Sequence, residues 1–330
     1  MTAPAVSEDE FIDLFKTLGS PVLIAKKIGV SLTNIHKRRA RIERDRGIKL
    51  ETHNGQRPCD YAERRIRHTE GRVDFGILNG SVVVFSDAHF WPGLRTTAHR
   101  ALLSLLPQIK PAVVVCNGDA FDGASISRFP AMSWMERDKK PSVVEELKAC
   151  EEYLAEIETA AGSAKLAWTM GNHDARFESR LAASAPEYGH ISGFHLKDYF
   201  PRWTPCWTVW VNEETLICHR MAGGIHAPWN NLMRGQVNAV TGHLHSLKVT
   251  PLTDARGVTK YGVDTGTLAD PTGPQFSDYM EGKHGNWRSG FVVLTWRGGR
   301  LLMPELVQVF DEDTVEFRGH LLNADTGEVL

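Results

Sequence analysis

Five short polar clusters stand directly behind apolar runs in this 330-residue chain. They read SDAH at 86–89, GDAFD at 118–122, GNHD at 171–174, CH at 218–219 and GHLH at 242–245. Together they offer Asp87, His89, Asp119, Asn172, His173, His219, His243 and His245. Carboxylate and amide oxygens mixed with imidazoles suit manganese, iron or zinc. Oxygen alone would suit calcium or magnesium, and thiolates a structural zinc. The donors are too many for one open metal site and suit two. Asp119 is the natural bridge, because a carboxylate carries two oxygens. Two metals about 3.5–4 Å apart can bind a phosphoryl group and lower the pKa of a water between them, making a bridging hydroxide the nucleophile. One cluster alone has an ordinary explanation: an isolated His is more often a satisfied core group, and an Asp after a strand is often a cap. Five clusters, each behind an apolar run, are not explained that way.

The runs ahead of the clusters are the elements that must position them. SVVVFSD, AVVVCNGD, KLAWTMGNHD, TLICHR and VNAVTGHLH each read as a strand entering a loop. TTAHRALLSLLPQI reads as a helix, and Ser142 with Glu145 forms a capping box for another helix to about residue 160. Alternating strands and helices argue for an α/β body, in which loops at the strand ends form the ligand crevice. Gly118, Gly171 and Gly242 allow tight turns there. Asn79-Gly80, between RVDFGI and SVVVFSD, is a hairpin signal. Beyond Lys248 strands dominate, in KYGVDTG, GFVVLTW and LVQVF.

The order D-x-H, G-D-x-x-D, G-N-H-D, a lone His and G-H-x-H resembles the calcineurin-like metallophosphoesterase superfamily over about residues 80–270. The segment GTLADPTGPQF…NWRSGFVVLTW also resembles the C-terminal portion of its phage- and prophage-encoded members. The resemblance implies an α/β fold, a two-sheet sandwich flanked by helices on both outer faces. It implies that Asp87, His89 and His245 hold the first metal, that Asp119 bridges, and that Asn172, His219 and His243 hold the second. His173 would not bind metal but would contact phosphate and protonate or stabilise the leaving oxygen. Asp122 and Asp174 would orient imidazoles. The family often has His-Gly at the lone histidine; here Arg220 follows His219, and His226 is the alternative ligand. The protein-phosphatase branch carries an arginine that GDAFDGA lacks, which counts against that branch. DGASISRFPAMSWMERDKKPS, between the second and third clusters, reads as a rim in which Arg128 grips a phosphate and Trp134 stacks on a base. Phe90 and Trp91 are expected to wall the site.

The N-terminal residues follow different rules. Phe11, Leu14 and Phe15 sit at helical spacing before Gly19, a second short helix runs from Pro21 to Gly29, and Ser31 caps a third that stops near Gly47. Ala25, Gly29 and Ile35 are ordered as small residue, turn glycine and buried aliphatic, the arrangement of a helix-turn-helix. Its third helix carries His36, Lys37, Arg38, Arg39, Arg41 and Arg44. Residues 20–50 hold nine Lys or Arg against Glu43 and Asp45, although the whole chain carries −2. That asymmetry points to an anionic polymer. We therefore expect a small all-α domain at 1–50, a polar linker at 51–71 and the metallophosphoesterase domain at 72–330.

No apolar stretch approaches about eighteen residues, and no basic start precedes an apolar run, so neither a membrane span nor a secretory signal is expected. The five cysteines, Cys59, Cys116, Cys150, Cys206 and Cys218, include no close pair. That argues against a disulfide framework and for the reducing cytoplasm of a bacterial host. Together these readings describe a dinuclear metal-dependent phosphodiesterase or nuclease acting on DNA, with manganese ahead of iron or zinc. The alternatives are a phosphatase or phosphodiesterase for a small nucleotide-like substrate, and a catalytically idle DNA-binding regulator.

Overall fold

The computed structural model describes residues 6–50, 71–127, 140–276, 280 and 285–330. Arg128, Trp134 and, except for Gly71, the expected linker lie outside the described residues. Two compact units, residues 1–63 and 64–330, make up the chain.

The first unit holds α1 (Glu8–Leu18), α2 (Pro21–Ile28) and α3 (Leu32–Arg46). Ser7, Ser20 and Ser31 cap their N-termini by accepting from main-chain N–H groups that would otherwise lack partners. Phe11, Phe15, Ile24, Ile35 and Ile42 are buried in one apolar core, against which Ala25 and Val30 pack. The turn between α2 and α3 is tied by Val30 N–H donating to the Ala25 carbonyl at 3.2 Å.

The second unit is a sandwich of two sheets. One runs in the order β1 (Arg72–Phe75), β6 (Thr208–Val211), β7 (Thr215–Cys218), β8 (Asn238–Thr241), β10 (Thr259–Asp264) and β9 (Lys248–Thr253). The other runs β15 (His320–Asn323), β14 (Thr314–Phe317), β13 (Glu305–Val309), β11 (Gly290–Arg297), β2 (Gly80–Phe85), β3 (Val113–Cys116), β4 (Lys165–Thr169) and β5 (Thr204–Cys206), with β12 (Arg300–Leu301) pairing on β11. Side chains alternate between sheet faces. Val82, Val84, Val113 and Val115 therefore fill the space between the sheets, while Val83, Phe85, Val114 and Cys116 meet the helices. Burial on both faces explains why β2 and β3 read as unbroken apolar runs. Helices α4 (Thr97–Ile109) and α5 (Val143–Ala161) supply Leu102, Leu105, Tyr153, Leu154 and Ile157 to the outer core. On the other sheet, α7 (Ala227–Gly235) packs close enough that a Cβ on Gly262 would strike the Pro228 carbonyl.

The expected Asn79-Gly80 hairpin does not form. β1 pairs parallel with β6, Val73 opposite Val209, whereas β2 pairs with β3 and β11 in the other sheet. The chain crosses between sheets here, and the Asn212 side chain holds the crossing by bonding Ile77 N and O at 2.8 and 2.7 Å. Each strand is matched to distant partners that bury both its faces, and this overrides the local turn signal. No helix among the described residues is long and apolar enough to cross a membrane.

Because β2, β3 and β4 run parallel, the loops after them leave one edge of their sheet. β7 and β8 are parallel as well, so their following loops share an edge of the other sheet. All five polar clusters sit at these strand ends. Leu102, fully buried in α4, is part of what holds the helical layer against β2. Leu102→Ala is expected to lower unfolding stability by about 2–5 kcal/mol, read as a lower midpoint in denaturant melts.

Candidate metal centre

The loops carry their ligands on sharp turns. Eleven described non-glycine residues have positive φ, and Asp87, His89, Asp119, His243 and His245 are five of them. Such conformations cost on the order of 1–3 kcal/mol each and persist where the surroundings enforce them. Here the loops enforce one another: Asp87 N donates to Gly118 O at 2.9 Å, His89 N to Asp119 O at 3.0 Å, and Gly242 N to His219 O at 3.0 Å. Glycine is needed where these loops meet. A Cβ on Gly242 would stand 2.7 Å from Asp87 Oδ2, and one on Gly118 would overlap the His219 ring.

The ligand atoms of Asp87, His89 and His245 lie within 4.8 Å of one another, and so do those of Asp119, His219 and His243. The first is the set the resemblance implies for one metal; the second joins the implied bridge, Asp119, to two of the three residues implied for the other. A third set joins Asp119 to His89 and His173, so Asp119 stands between the first two. Asp87 and Asp119 are buried. Burial opposes their ionisation, but neighbouring His245 and His219 outweigh it and hold both carboxyls below their ordinary range. Burial likewise opposes charging His219, yet Asp119 and Asp87 raise its pKa to about 10. The pocket therefore favours positive charge at its centre.

Among the described residues, buried His89 Nε2 and Asn172 Oδ1 have no hydrogen-bond partner, and His219 Nε2 has only the Asp119 carboxylate, at 3.0 Å. An orphaned buried lone pair is costly unless a cation takes it. The opposite ring nitrogens are fixed: His89 Nδ1 bonds Asp122 at 2.8 Å, and His219 Nδ1 bonds the Asn117 carbonyl at 2.8 Å. That pattern sets the tautomer of a metal-binding histidine. These residues fit divalent ions held by Asp and His. His226 is exposed and precedes α7, so His219 is the histidine in the cluster.

His173 bonds Asp122 through Nδ1 at 2.7 Å. Burial lowers its pKa and that carboxylate raises it, with a net rise. Asp122 thus orients two imidazoles. Asp174 orients none. Its buried carboxylate accepts from Asp119 N, Phe121 N, Gly171 N and Trp168 Nε1 at 2.8–3.0 Å, and so fixes the backbone of two ligand loops.

The aromatic wall also differs from expectation. Phe90 packs inward against His99 and Tyr153, and Trp91 is half-buried. Phe276 and Trp287 flank the cluster instead, with ring centroids 5.3 and 4.5 Å from His245. Three further residues escaped sequence reasoning. Arg176 reaches His173, and its i, i+3 spacing on a helix is the signal that could have revealed it. Glu146, buried in α5, accepts from Gly123 N and Ala124 N at 3.0 and 2.9 Å, and burial with nearby Asp122 raises it to about 8. Cys218, next to His219, is buried, which pushes its thiol up to about 12.

On α3 the basic residues divide. Arg38 donates to the Val6 carbonyl and lies over the Phe11 ring at 4.7 Å. Arg39 pairs with Glu43 at 2.9 Å, and Arg41 with Glu8 at 3.0 Å. His36, Lys37 and Arg44 are exposed.

Residues 80–262 match the family model described as calcineurin-like phosphoesterase. The gene 54 protein of Mycobacterium phage L5 is 24% identical over 253 residues, which span 70% of this chain and 94% of that protein. Among solved structures, the chain is similar to zinc-complexed Vps29 from Entamoeba histolytica, at 15% identity and a TM-score of 0.39, over 74% of this chain and 99% of that one. It is also similar to purple acid phosphatase PPD1 of yellow lupin, at 12% identity and a TM-score of 0.33, over 76% and 52% of the two chains.

Adding manganese or zinc to metal-stripped protein is expected to raise its melting temperature. Ligand in hundredfold excess over its dissociation constant stabilises by about 2.7 kcal/mol. Asp119→Asn should lose most of that shift; an undiminished shift in the variant would place the ions elsewhere.

Proposed function

Because the chain belongs to the calcineurin-like phosphoesterase family, and so is a metal-dependent phosphoester hydrolase, we propose that its ester is a phosphodiester of DNA. One observation carries the choice of DNA: α3, in a separate unit with the order of a helix-turn-helix, exposes Lys37 and Arg44 on one face. Residues 37 and 44 are two turns apart, a spacing suited to neighbouring phosphates. The pairing of Arg41 with Glu8, and the inward turn of Arg38 and Arg39, leave fewer free cations than the sequence count promised. They favour modest DNA affinity, and for that reason a small nucleotide diester stands as the second reading. The idle-regulator reading is disfavoured by the buried donor atoms of His89 and Asn172, which have no partner among the described residues, and of His219, which faces only Asp119.

Asp87, His89 and His245 would hold one ion, and Asn172, His219 and His243 the other, with Asp119 shared. Bound there, divalent ions supply Lewis-acid polarisation of the phosphoryl group and activation of water. The protein's own groups do the rest. Asp122 fixes His89 and His173 from behind, and Asp174 locks the loops that present Asp119 and Asn172. With Nδ1 tied to Asp122, His173 has Nε2 left to face the leaving oxygen, and a proton carried there could pass to it.

Hydrolysis of bis(4-nitrophenyl) phosphate, 4-nitrophenyl phosphate and DNA, each with manganese and with chelator, tests this reading. The diester and DNA should be cleaved, and chelator should stop both; cleavage of the monoester alone would overturn the assignment. His173→Ala is expected to slow turnover about 10²- to 10⁴-fold while metal content stays constant. Lys37→Ala combined with Arg44→Ala should flatten the salt dependence of DNA binding by up to about two units of slope and leave small-diester hydrolysis intact. Unchanged DNA affinity in that variant would remove the case for DNA.

A further inference from the structure

We propose that Arg176 grips the substrate's phosphoryl group, and that in doing so it releases the Nε2 of His173. The inference rests on the phosphoesterase reading above and adds to it a residue and an order of contacts.

Arg176 lies in the first turn of α6 (Asp174–Ser184), three residues beyond His173. Its Nη1 donates to the main-chain oxygen of Asp122 at 2.9 Å, and its Nη2 to His173 Nε2 at 3.0 Å. No ion pair of Arg176 with a carboxylate is found among the described residues. The Asp122 side chain beside it is taken by the two imidazoles. A full positive charge is therefore held next to the ligand cluster by two uncharged acceptors. The His173 ring is 4.7 Å from that of His89, which places the guanidinium beside the ion-binding residues.

A guanidinium presents five N–H donors in a planar fork that matches phosphate oxygens. Only two of its nitrogens have partners among the described residues, and an anionic oxygen is a stronger acceptor than an imidazole nitrogen or a carbonyl. A phosphoryl group arriving at the centre would outcompete both. The exchange needs rotation of one long side chain and no backbone movement.

The exchange also has a geometric consequence. His173 Nε2 has a single in-plane bonding direction, and Arg176 occupies it. Any other partner of Nε2 can take that direction only after Arg176 has turned away. Binding of the phosphoryl group and access to His173 are thus coupled through one side chain. Gly123 leaves room for the arginine stem where it lies, since a Cβ there would be 3.3 Å from Arg176 Cδ.

The test compares Arg176→Ala and Arg176→Lys in the metal-loaded full chain, with metal content measured for each. Inorganic phosphate is the probe, read as an inhibitor of bis(4-nitrophenyl) phosphate hydrolysis and by calorimetry. Arg176→Ala is expected to weaken phosphate about 10- to 100-fold, with unchanged metal content, and lysine should recover part of the loss. The same loss should appear when Arg176→Ala is made in a His173→Ala background. Unchanged phosphate affinity in Arg176→Ala would overturn the proposal. So would a loss that vanishes in the His173→Ala background, since that would make Arg176 a support for the imidazole only. If wild-type protein hydrolyses no ester, the phosphoesterase reading fails separately, and calorimetry with phosphate still decides Arg176.

Discussion

Two buried carboxylates, Asp87 and Asp119, face each other's surroundings with histidines as their ion-pair partners among the described residues. Burying one unpaired carboxylate costs several kcal/mol even after relaxation. The centre is therefore built around positive charge, and the surrounding structure follows from that constraint. Strand ends deliver the backbone, left-handed turns aim the side chains inward, and glycines let the loops touch. His89 and His219 keep Nδ1 tied to protein and leave Nε2 for the centre. A sheet edge is the one place in such a fold where so many polar groups can converge without breaking a ladder.

The ligands were legible in the sequence because each stands just behind an apolar run that can only be a strand. Strand direction then puts them on a common edge. The turn at Asn79-Gly80 was misread because a local signal says nothing about distant partners, and β2 finds its partners in β3 and β11. Phe276 and Trp287 were missed for the same reason, since nothing near them in sequence announces a metal site. Asp174 was assigned the right neighbourhood and the wrong target. It holds peptide N–H groups and an indole, and backbone donors leave no trace in a motif.

The N-terminal unit shows how charge counts mislead. Residue type alone put Arg38, Arg39 and Arg41 on a binding face. In the folded unit Arg38 and Arg39 lie over the phenylalanine rings that form its core, and acidic residues of α1 draw in Arg41 and Arg46. Stacked stems of this kind stabilise a small core that has few apolar residues of its own. The same residues cannot do this and contact a polyanion without being pulled off that core.

The cysteine that neighbours a ligand in sequence stays out of the centre. Cys218 precedes His219 in sequence, yet its sulfur joins none of the clusters that could hold a metal and bonds the Arg220 carbonyl instead. Burial holds its pKa near 12, so at neutral pH it stays a thiol, a poor nucleophile and a poor ligand. The ions are left to nitrogen and oxygen donors alone, which bind soft metals less avidly than a mixed thiolate set would. The centre should accordingly trade one divalent metal for another with ease. It should also keep its ligand set under peroxide, which oxidises thiolates and leaves carboxylates and imidazoles comparatively untouched.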